Sequence, residues 1–178
     1  MSNNESERIR EQLSDKNIET VKSGLRRLES STQRLPDMYA AIPQLKGCKG
    51  MMSLHACFDA LGWTHSHYIA LWCFAELAEL GEVWVQQQKT LQLHHWCSYH
   101  NIPENLGKLT HLEELHIVGV EEVGDWIAKL QSLKVLNLSQ NYLEAVPQCV
   151  YKLPNLTTLI IRENDIAELD CIPSLQYL

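Results

Sequence analysis

No stretch of this chain is apolar for the roughly 20 residues that a membrane-crossing helix needs. The longest uncharged run in the apolar middle, Ala60 to Ala75, stops short of that length and contains Thr64, His65, Ser66 and His67. Basic residues are also scarce: 15 Lys and Arg face 22 Asp and Glu, a formal charge of −7. That sign is opposite to the basic footprint phosphate binding calls for, so neither nucleic acid nor a membrane is an expected partner. Glycine and proline number 8 and 6 in 178 residues, too few for a fibrous or low-complexity chain. No Gly-x-Gly-x-x-Gly, P-loop or Gly-x-Ser-x-Gly occurs, which leaves nucleotide binding and serine hydrolysis without support. The start, Met-Ser-Asn-Asn-Glu-Ser-Glu-Arg, leads into charge rather than into the apolar stretch of a signal peptide. Cysteines 48, 57, 73, 97, 149 and 171 are spread without a close-spaced framework. Both features suit a reducing cytoplasm, with export by a route lacking a cleavable signal left open.

What the chain does have is 45% hydrophobic and 21% charged residues, a globular balance, and a repeat. The C-terminal half aligns with itself in blocks starting at Gln88, Leu112, Leu133 and Leu156, with a stub at Leu175. Successive starts recur at a period that suits a solenoid. Five columns recur. Six residues before the later starts stand Leu106, Ile127, Val150 and Leu169, and three before stand Leu109, Leu130, Leu153 and Ile172. Within the blocks come Leu112, Leu133, Leu156 and Leu175, then Leu91, Leu115, Leu136, Leu159 and Leu178, then Leu93, Ile117, Leu138 and Ile161. Only Gln88 breaks a pattern of 21 apolar hits in 22 places, an outcome of roughly one in a million by chance at a fixed register.

The motif inside each block is Leu-x-x-Leu-x-Leu-x-x-Asn-x-Leu, whole in LKVLNLSQNYL from Leu133 and recognisable in LTTLIIRENDI from Leu156. It resembles the leucine-rich repeat, in the short bacterial form with a proline after the turn, as in IPENLGKLTHL from Ile102 and VPQCVYKLPNL from Val146. The expected fold is α/β: a right-handed solenoid of about four repeats with a parallel concave sheet over residues 83–178, preceded by an all-α region over residues 1–82. The resemblance implies that the amides of Asn141 and Asn164 bond the backbone of neighbouring turns. Trp96 and Val120 stand in that asparagine column in the first two blocks, so their turns must close some other way.

The N-terminal part of the chain, up to Leu80, reads as helices. Ile18, Val21, Leu25 and Leu28 form an apolar stripe behind the cap candidates Ser14 and Asp15, and Ile9 and Leu13 mark a helix before it. Pro36, Pro43, Gly47 and Gly50 punctuate a connector with one helical turn at Asp37 to Ile42, and two further helices, Met51 to Leu61 and Ser66 to Leu80, stop at Gly62 and Gly81. This region is expected to cap the open end of the solenoid core. SDKNIETVKSGLRRLES also resembles the helical leader of some bacterial leucine-rich-repeat proteins.

Candidate chemistry is sparse. His55, Cys57, His65, His67, His94, His95, Cys97 and His100 cluster along the chain, but no Cys-x-x-Cys or His-Glu-x-x-His is present. Partly buried helix histidines and solvent-facing strand histidines account for them, so no metal or other cofactor is expected, with metal binding kept as an alternative. Cys57-Phe58-Asp59 has the Cys-x-Asp form of a class of bacterial leucine-rich-repeat ubiquitin ligases, in which the cysteine is the nucleophile. Cys57 lies on an apolar stripe with Leu54, Phe58 and Leu61, so a structural role is expected and no catalysis. The acidic run Glu113, Glu114, Glu121, Glu122 and Asp125 reads as solvated surface.

The expected activity is binding of a protein or peptide on the concave sheet face; binding through the helical cap, as an adaptor, is the alternative. Inward residues alternate with outward ones. One outward row is Gln92, His116, Asn137 and Ile160, a second is His94, Val118, Ser139 and Arg162, and a flanking row is Thr90, Glu114, Val135, Thr158 and Tyr177. Val118, Val135 and Ile160 are expected to make an apolar middle with polar ends. An ordinary imidazole titrates near about 6.5, so with His94, His95 and His116 on or beside this face binding is expected to change between about pH 5 and 8. The stub Leu175-Gln-Tyr-Leu178 leaves the last leucine columns and a strand edge uncapped, for which a homodimer through the C-terminal end is the favoured explanation over a truncated fragment.

Overall fold

A computed structural model describes residues 3–31, 33–63, 65–93 and 102–168. The chain divides into two compact units, Met1–Leu80 and Gly81–Leu178.

The first unit is helical. Helix α1 (Asn3–Leu13) buries Ser6, Ile9 and Leu13, and α2 (Ile18–Glu29) buries Val21, Gly24, Leu25 and Leu28. The two pack closely: a Cβ on Gly24 would lie 3.1 Å from Gln12 Cβ and 3.2 Å from Leu13 Cδ2. The cap of α2 differs from expectation. Asn17, not Ser14 or Asp15, accepts the N–H of Glu19 at 2.9 Å. Ser14 instead closes α1 by donating to the Glu11 carbonyl, and Asp15 accepts the Asn17 N–H. The connector turn is longer than expected because Pro36 sits in the first turn of α3 (Arg34–Ala41), where no backbone donor is needed. A 3-10 turn, Pro43–Gly47, leads to α4 (Met51–Ala60), whose start is held by Ser53 Oγ accepting the N–H groups of Lys49 and Gly50. Helix α5 (Ser66–Glu79) is buried on nearly all sides from Ile69 to Ala78. Its polar groups are answered: Glu76 pairs with Arg34 at 3.0 Å and Trp72 Nε1 donates to Glu29 at 2.8 Å. Gly62 and Gly81, at φ of +68° and +74°, end α4 and α5 in the left-handed conformation that glycine adopts most easily.

The second unit opens with a short helix α6 (Val83–Gln86), where Gln88, the one mismatch in the leucine columns, donates to the Trp84 carbonyl. Among the described residues four parallel strands then form one sheet in chain order: β1 (Thr90–Leu93), β2 (Glu114–Ile117), β3 (Val135–Asn137) and β4 (Thr158–Ile160). The connections carry 3-10 turns at Glu104–Lys108, Asp125–Lys129 and Val150–Lys152. Leu91, Leu115, Leu136 and Leu159 pair across the sheet and face inward, with Leu93, Ile117 and Leu138 behind them. Leu106, Ile127 and Val150, with Leu109, Leu130 and Leu153, close the interior from the opposite side. This is a leucine-rich-repeat solenoid, with Trp126 as an additional interior side chain that the column pattern does not contain.

Asparagine bridges join the turns. Asn141, buried, accepts the Val120 N–H at 2.8 Å and donates to the carbonyls of Leu138 and Ile117. Asn164 repeats the pattern, accepting from Leu143 and donating to Leu138 and Ile161. Val120 therefore needs no asparagine of its own: its side chain is buried and its N–H is served from the next repeat. Among the described residues, the one before each position in this column, Gly119, Gln140 or Glu163, has φ of +85°, +59° or +56°.

Candidate functional site

The observed register assembles the concave face as the repeat spacing implies. Gln92, His116, Asn137 and Ile160 form one transverse row, and Thr90, Glu114, Val135 and Thr158 form the next. Val118, Ser139 and Arg162 follow the ends of β2, β3 and β4. Their row partner His94, and Tyr177 of the flanking row, lie outside the described residues. Thr90, Gln92 and Arg162 are exposed, and the other described members are half-buried. Val118, Val135 and Ile160 each keep the row the sequence placed them in and are half-buried, with the polar side chains of Glu114, His116 and Asn137 beside them.

On this face, Thr90 Oγ1 donates to Glu114 Oε2 at 3.2 Å, and Glu114 Oε1 lies 3.9 Å from His116 Nε2. His116 Nδ1 lies 3.4 Å from Asn137 Nδ2, and Asn137 Oδ1 accepts the Ser139 N–H at 2.9 Å. Immediately before β2, Glu113 bridges the two neighbouring repeats, with Lys134 at 2.7 Å and Lys89 at 2.9 Å, and these cations lower its pKa to about 2.

The acidic run does not form one surface. Glu113 and Glu114 serve the pairs just described, whereas Glu121, Glu122 and Asp125 line a groove of about 630 Å³ with Glu144, Asp165 and the exposed ring of Tyr142.

The Cys-x-Asp triplet is built into helix packing. Asp59 accepts the Ser66 hydroxyl at 2.6 Å, which fixes the start of α5, and lies 3.3 Å from His55 Nε2. The His55 ring sits 3.7 Å from that of His67. Burial, reinforced by the neighbouring Cys48 thiol, pushes Cys57 up to about 11, the reverse of what a nucleophilic thiolate needs. Burial raises Cys48, Cys73 and Cys149 as well. Among the described residues no group of three His, Cys, Asp or Glu side chains is placed to hold a metal ion. His94, His95, Cys97 and His100 lie outside those residues, as does the proposed C-terminal dimer contact at residues 169–178. No described helix is long and apolar enough to cross a membrane.

Two relatives illustrate the likeness. The chain is 26% identical over 94 residues to Phytosulfokine receptor 1 of Arabidopsis thaliana, an alignment covering 52% of this chain and 9% of the receptor. The chain thus spans less than a tenth of that protein's length. Among solved structures, an internalin (InlF) of Listeria monocytogenes is 22% identical with a TM-score of 0.41, covering 58% of this chain and 36% of the internalin. Residues 123–166 match the family model described as leucine rich repeat. That match covers β3, β4 and the bridging asparagines Asn141 and Asn164; with the leucine columns facing inward from four registered strands, it identifies this part of the chain as a leucine-rich-repeat array.

Proposed function

We propose that this chain is a non-catalytic interaction module that docks a protein or peptide on the concave face of its repeats. Leucine-rich-repeat proteins generally mediate protein–protein interaction. One observation supports the choice of surface: the register gathers Gln92, His116, Asn137, Ile160, Thr90, Glu114, Val135 and Thr158 on one sheet face. A face of accessible donors, acceptors and half-buried branched side chains suits a polypeptide surface. Burial of the described cysteine thiols favours a reading without thiol catalysis.

The test is capture from a lysate of the protein's own cells by the immobilised wild type and by an Ile160→Glu, His116→Glu variant, with circular dichroism confirming that the variant folds. Proteins captured by the wild type and lost by the variant are expected. Capture that survives both substitutions removes the concave face as the docking surface.

A further inference from the structure

The centre of the concave face holds a donor and an acceptor whose orientation is settled by their neighbours. Ser139 N–H donates to Asn137 Oδ1 at 2.9 Å, so the amide nitrogen of Asn137 is the atom that faces His116, 3.4 Å from its Nδ1. An amide nitrogen only donates, so Nδ1 is the acceptor and the ring hydrogen sits on Nε2. Thr90 meanwhile occupies Glu114 Oε2 and leaves Oε1 turned toward His116 Nε2 at 3.9 Å, too far for the two to bond each other. The His116 and Glu114 side chains are 22% and 42% exposed, so an incoming group can reach both. Among the described residues neither Nε2–H nor Oε1 has a hydrogen-bond partner.

We propose that this pair reads a primary carboxamide, the side chain of an Asn or Gln on the docked partner: its C=O accepts from His116 Nε2–H while its N–H donates to Glu114 Oε1. The inference rests on the concave face being the docking surface. The spacing of 3.9 Å fits, because the oxygen and nitrogen of one amide stand about 2.2 Å apart and each bond spans about 2.9 Å, slightly splayed. A peptide bond cannot substitute: in its trans form the N–H and C=O point to opposite sides. A hydroxyl would have to make both bonds from one oxygen at a pinched angle. A carboxylate would meet Glu114 with like charge, and an ammonium would present a donor to the His116 donor. Asn137 and Thr90 are positioning residues, holding the ring hydrogen and the free carboxylate oxygen where the amide meets them.

The probe is a randomised peptide library displayed on phage and selected on the full chain, with each selected peptide remeasured on variants. Peptides that lose binding to Ile160→Glu are expected to share an Asn or Gln. Replacing that residue by Leu, or His116 by Phe, weakens binding about ten- to hundredfold, and combining the two adds little further loss. The ¹⁵N chemical shifts of the His116 ring report the Nε2–H form in the wild type, and Asn137→Ala mixes the two forms while leaving the fold intact. A ring protonated on Nδ1, or concave-face peptides indifferent to His116→Phe or sharing a Ser, Thr or bare main chain instead, overturns the carboxamide reading alone. Peptides indifferent to Ile160→Glu, or a library that yields none, overturns the docking reading and the carboxamide with it.

Discussion

Asn141 reaches back one full repeat to the carbonyl of Ile117, 2.9 Å away, while its own Oδ1 takes the N–H of Val120. The side chain is buried, so removing it strands a donor and two acceptors in a place water does not reach. Asn141→Ala is expected to lower stability by about 2 to 3 kcal/mol, and Asn164→Ala, whose site is half-buried, by less. Urea denaturation checks the ranking; equal losses at the two sites would contradict it.

The left-handed column yields a substitution that should help. Gln140 holds φ of +59° with an exposed side chain, and Gly119 holds φ of +85° without one. Gln140→Gly removes a conformational cost of roughly 1 kcal/mol and is expected to be neutral or mildly stabilising, its loss of the bond to Glu163 being at the surface. Gly119→Ala imposes that cost and is expected to destabilise. Thermal melts of the two variants should shift in opposite directions, or the first not at all.

Glu113 supplies the acid dependence. Its folded pKa is lowered to about 2 by Lys134 and Lys89, from an ordinary value of 4.5. A depressed carboxylate contributes stability that is present above about pH 4.5 and is lost as pH falls toward 2. Glu113→Gln is therefore expected to flatten the melting temperature across that window and leave it unchanged in shape at neutral pH. Raising the salt concentration should shrink the difference, since these groups face solvent.

Cys57 should be a slow thiol. With its pKa near 11 against an ordinary 9.0, the thiolate fraction at pH 8 falls about a hundredfold, and alkylation slows in proportion. A variant retaining Cys57 as its single cysteine, timed against a free cysteine peptide, reads this directly. Rapid labelling, or a thioester with a ubiquitin-charged carrier, would show that the thiol is activated.

Much of this architecture is legible in the leucines. An inward side chain at every second strand position, and a strand in every repeat, leave a double period that few other folds share. A shared offset from the start of each block also places Gln92, His116, Asn137 and Ile160 in one row, as the strand register does. Local choices between similar caps were not legible: Ser14, Asp15 and Asn17 are all good helix starters, and which one caps α2 depends on where α1 stops. Trp126 escaped because it fills space beside a column rather than in it. The bonding among these polar groups was not legible for another reason. Whether Asn137 turns its nitrogen or its oxygen to His116 is decided by Ser139 two residues on, a consequence of the turn's shape that no residue pattern records.

The asparagine bridges also make each repeat an interchangeable building unit. Because Asn141 and Asn164 satisfy backbone groups of the repeat before them as well as their own, the joint between neighbours is the same wherever the pair occurs. A duplicated copy of residues 133–155, spliced in frame after itself, would meet on each side the surface it already meets. The array could then lengthen by whole periods, gaining one strand and one outward residue per row, without redesign of any joint.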